Sequence, residues 1–97
     1  MTTTEKRELK KALSSIKSNI KSILDYLNQP MVSLATVNDM LLWADDCHAE
    51  LVAGVIQARD DDTVDWDTFT SLVWLRNDLG RVCHALRYCL QEQQRID

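Results

Sequence analysis

Ninety-seven residues allow one domain, and an apolar share of 45% is too high for a disordered chain. Two glycines and one proline cannot supply the turns of an all-β domain, so the composition predicts an all-α protein. A net charge of −4, with no helix-turn-helix spacing, disfavours direct binding to nucleic acid.

The first predicted helix covers about residues 3–28. Thr2-Thr3-Thr4-Glu5 reads as a capping box, in which Thr2 accepts the N–H of Glu5. Leu9, Leu13, Ile16, Ile20, Ile23 and Leu27 follow at heptad spacing, and Asn28-Gln29-Pro30 stops the helix. Its back carries Lys10, Lys17 and Lys21.

A second helix, about 34–58, begins at Ser33 or Thr36. Its seam is Val37, Leu41, Ala44, His48, Leu51, Val55 and Ala58. A third, about 66–94, begins near Asp65, with Val64 and Phe69 placed for a hydrophobic staple. Its seam is Leu72, Leu75, Leu79, Val82, Leu86 and Cys89. Short connections predict a single domain, 1–97, folded as an antiparallel up-down-up three-helix bundle of long helices.

Helices 2 and 3 carry more apolar surface than such a core needs. Advancing 100° per residue puts Leu42, Ala49, Ala53 and Ile56 about 110° to 170° from the helix 2 seam. Trp74, Arg81, Ala85 and Tyr88 likewise face away from the helix 3 seam. Aromatic residues and arginine among small residues make up a composition that interface hot spots favour. These eight residues are the expected partner-binding surface, for another protein or for a second copy. Scattered surface apolar residues are the plainer explanation.

Charge is split along the chain. Residues 1–28 hold six basic and three acidic side chains, whereas 29–97 hold five basic and twelve acidic ones. A basic helix packed beside two acidic ones explains this most simply. The patch Asp60, Asp61, Asp62, Asp65 and Asp67 also fits a mimic of a nucleic-acid backbone, blocking a DNA- or RNA-binding protein. An N-capping, solvated loop is the plainer alternative.

Cys47-His48, Cys83-His84 and Cys89 supply zinc-type ligands, but neighbours on a helix diverge by about 100°. A hairpin centred on residue 62 would separate His48 and His84 by roughly 12 Å along the axis. We therefore expect no metal and no cofactor; a thiol- or metal-dependent sensor is the least favoured function. In the seam, His48 is expected to bond a neighbour such as Arg76 or Asn77, with a pH-sensitive contact as the sharper reading. The aspartates at 60–67 resemble a calcium loop weakly, for Asp65 and Ser71 stand where glycine and glutamate are needed.

No nucleophile–base pair or phosphate-binding glycine loop is present, so no enzyme is expected. No secretory or membrane segment is expected either, since the longest apolar runs, 40–44 and 51–56, are far too short. Three cysteines without scaffold spacing suit a reducing cytoplasm. The sequence thus predicts a small non-enzymatic interaction module: an adaptor, inhibitor or regulatory subunit.

Overall fold

Each helix begins where a short polar side chain supplies the acceptor that the first turn lacks. In a computed structural model describing residues 2–96, and side chains as far as Glu92, the helices are α1 (Thr3–Leu27), α2 (Leu34–Arg59) and α3 (Trp66–Ile96). Thr2 Oγ1 accepts the Glu5 N–H at 3.1 Å, and Ser33 Oγ accepts that of Thr36 at 3.4 Å. Asp65 Oδ1 accepts the Thr68 N–H at 2.7 Å, one turn into α3. Of the two starts open for α2, the chain uses Ser33. Among the described residues there is no strand.

Leucine, isoleucine and valine at the seam positions form the centre of the fold. Leu13, Ile20 and Ile23 of α1 are buried with Val37, Ala44, Leu51 and Val55 of α2. Leu72, Leu75, Leu79, Val82 and Leu86 complete the core from α3. Leu9, Ile16, Leu27, Leu41, Ala58 and Cys89 pack half-buried against it. Cys47 and Cys83, one residue outside the expected seams, are buried as well. A small thiol behaves as a hydrophobe there, which widens the apolar stripe.

The three helices do not share contact equally. α2 and α3 pack closely along their length, α1 lies more lightly on α3, and α1 meets α2 only slightly. Two polar links fasten α1: Lys6 pairs with Asp65 at 3.3 Å, and the Ser33 N–H donates to the Tyr26 hydroxyl at 2.7 Å. Between α1 and α2 runs a groove lined by Asn19, Ser22, Ile23, Asp39, Met40 and Trp43. The described chain is elongated, 52 × 20 × 16 Å.

Between α2 and α3, the His48 ring lies near Gly80 and Asp45 pairs with Arg87. In the connection, Asp61 turns the chain by accepting the Thr63 N–H at 2.9 Å, and α3 starts at Trp66.

Asp65 yields a pH prediction. Hydrogen bonds from Thr68, and then the Lys6 ammonium, lower its carboxyl from the ordinary 3.8 to about 2. A depressed carboxyl stabilises the fold above its unfolded pKa and loses that contribution as pH falls through the folded one. Asp65→Ala should thus lower the melting temperature at pH 5, and the difference from wild type should close near pH 2. Circular dichroism melts at both pH values check it; an equal difference at both would refute the capping role.

Candidate functional site

The expected partner-binding residues all lie off the core. Leu42 is 60% exposed and Ile56 52%, with Ala49 and Ala53 open beside them. On α3, Trp74 is 63% and Tyr88 60% exposed, Arg81 is exposed and Ala85 half-buried. The core closes without any of them, so Trp74 is not drawn inward by a rotation of α3. At the far end, Trp66 lies exposed against Phe69, their ring centroids 6.0 Å apart.

Between the two stripes, α2 and α3 form an open groove of about 470 Å³ lined by His48, Arg76, Asn77, Gly80, Arg81 and His84. His48 packs beside Gly80: a Cβ added at position 80 would meet His48 Nε2 at 3.4 Å, an ordinary contact distance. Arg76 does not bond His48; its guanidinium donates to Asn77 Oδ1 at 3.2 Å from Nη2 and 3.4 Å from Nε. Arg81 reaches Asp78 at 3.7 Å, a loose exposed pair. At Gly54 an added Cβ would meet nothing within 4 Å, so no close helix approach requires it.

The acidic patch has local duties. Asp61 accepts the Thr63 N–H and hydroxyl, which lowers its carboxyl pKa. Asp65 caps α3 and holds Lys6. Asp60 lies 3.5 Å from Arg59, while Asp62 and Asp67 are exposed. The patch is therefore partly occupied in ending one helix and starting the next.

The thiols are free, Cys47 and Cys83 buried and Cys89 half-buried. Burial pushes the Cys83 thiol up to about 11, helped by its hydrogen bond to the Asp45 carboxylate and opposed by Arg87. Burial, then Glu50, also raises Cys47. A thiol held protonated is a poor nucleophile and a poor metal ligand. Among the described residues, no three His, Cys, Asp or Glu side chains gather where they could hold a metal ion.

Sequence reasoning missed two features. Trp43 sits half-buried in the α1–α2 groove, outside either stripe. The groove is the other, although Arg76, Gly80, His84 and His48 were each visible. Among the described residues, no helix is long and apolar enough to cross a membrane. Comparison with protein-family models, curated proteins and solved structures returns no match.

Proposed function

We propose that this chain is a non-enzymatic protein-interaction module, an adaptor, inhibitor or regulatory subunit, that binds through the outer face of α2 and α3. One observation carries the reading: Leu42, Ile56, Trp74 and Tyr88 remain more than half exposed around a finished core. Large apolar side chains left in water are costly unless something covers them, and tryptophan, tyrosine and arginine are the residues that anchor interfaces. The pairings Asp45–Arg87, His48–Gly80 and Lys6–Asp65 support an antiparallel up-down-up course for the helices. Three unpaired thiols suit a reducing cytoplasm.

Pull-down from the native host, with light scattering on the purified chain, tests this. Wild type should capture a partner protein or assemble with itself. Trp74→Asp and Tyr88→Asp should each weaken that complex by about thirty-fold or more, as loss of a hot spot costs ~2 kcal/mol. Circular dichroism should show their helicity unchanged. Variants that melt, or that bind as wild type does, would overturn the reading. The local bonds of Asp61 and Asp65 weigh against a nucleic-acid mimic, and the raised pKa values of Cys47 and Cys83 weigh against a thiol sensor.

A further inference from the structure

The groove between α2 and α3 combines features that point to a ligand of defined charge. The chain as a whole is acidic, yet this groove is lined by two arginines, two histidines, an asparagine and a glycine, with no carboxylate among them. Helical geometry arranges them usefully. Asn77, Gly80 and His84 follow one line of α3, with Arg76 about 70° to one side and Arg81 about 70° to the other. Long side chains from both flanks can therefore close over whatever rests on the Asn77–Gly80–His84 line.

Arg76 is the second, independent sign. It is half-buried, and its partner is the neutral Asn77 amide. Among the described residues it makes no ion pair, whereas Arg81 has Asp78 and Arg87 has Asp45. A guanidinium carries five N–H donors, and the Asn77 oxygen takes bonds from only two of its nitrogens. An anion placed beside Arg76 thus finds donors and a full positive charge. At Gly80 the His48 ring lies near the backbone of α3, so its nitrogens sit beside the Asn77–His84 side of the groove. Imidazole N–H groups and the Asn77 amide offer further donors around the same space.

The geometry points to a phosphate-monoester site in this groove, with Arg76 and Arg81 as the anion clamp and His48, Asn77 and His84 as additional donors. Guanidinium forks bind phosphate oxygens bidentately, and a doubly charged phosphate matches two arginines better than a single carboxylate does. The groove is of a size that ligand sites commonly have. It is open to solvent, so the phosphate belongs to a group presented from outside: a small phosphorylated metabolite or a phosphorylated side chain. The groove lies between the two stripes of the proposed protein interface and shares Arg81 with them. Trp74 does not line it, so Trp74→Asp should leave saturable phosphate binding in place.

The test is an amide-resolved NMR titration with inorganic phosphate, against sodium chloride of matched ionic strength. Saturable shifts confined to residues 76–84 and the surroundings of His48 are expected, with a dissociation constant of about 1 mM or tighter. Arg76→Gln and Arg81→Gln should each weaken binding about ten-fold, while Lys10→Gln and Lys17→Gln on α1 should change nothing. Arg81 is exposed, so Arg81→Gln keeps the test decisive even if Arg76→Gln fails to fold. Parallel titrations with O-phosphoserine and with adenosine monophosphate identify the source, the tighter of the two naming a phosphorylated side chain or a nucleotide. Absence of saturation by about 50 mM, shifts centred on the α1 lysines, or arginine variants that bind as wild type does would each overturn the proposal.

Discussion

Replacing Leu79 with alanine is expected to remove about 2–5 kcal/mol of stability, the cost of emptying a closed core site. Leu79 has 0% exposure and sits at the centre of the α3 seam, with Leu75 and Leu86 buried on either side along the helix. The bundle is narrow, so few neighbours can move in to fill the space left behind. Domains of this size are held by about 5–15 kcal/mol in all, so this change alone takes a large share. Urea unfolding followed by circular dichroism measures it. Leu42→Ala, on the exposed face, is the matched comparison and should change stability by less than about 0.5 kcal/mol. Equal losses at the two positions would mean that the core is not where the structure places it.

The three thiols should differ sharply in reactivity. Only the thiolate attacks a disulfide reagent, and Cys83 is held near pKa 11 against an ordinary 9.0. Two pKa steps leave about a hundred times less thiolate at pH 8, before access is considered. Burial then adds the need for the helices to part. Cys89, half-buried near the end of α3, should therefore react first, with buried Cys47 behind it and Cys83 at least about a hundred-fold slower. Timed labelling with mass spectrometry distinguishes the sites. Labelling of Cys83 as fast as Cys89 would remove both the burial and the carboxylate contact from the account.

Much of the fold was legible in the sequence because local rules agreed with one another. Thr2, Ser33 and Asp65 each stand one residue before a helix, and the apolar heptad residues behind them go to the core or its edge as spaced. The seam residue His48, by contrast, lines the open groove. The expected outer stripes are exposed for the same reason: a helix has one phase, and fixing the seam fixes the back. What was not legible depends on how one helix sits against another. Which residue of α2 meets which of α3 depends on the turn around Asp61 and Thr63, where no periodicity operates. Arg76, Arg81 and His84 share α3, but that His48 joins them from α2 follows from this packing. Trp43 is the other instance. Its place depends on how lightly α1 meets α2, and no spacing within α2 reports that.

The uneven sharing of contacts has a consequence for how the molecule is made. α1 is synthesised before α2 and before α3, the helix it rests on. The core residues Leu13, Ile20 and Ile23 must therefore remain without their lasting neighbours until α3 has emerged. The α2–α3 hairpin closes over a short connection, whereas α1 must be recruited across a loop that contains all of α2. The five lysines spread along α1 are charges of the kind that oppose aggregation of an exposed apolar segment.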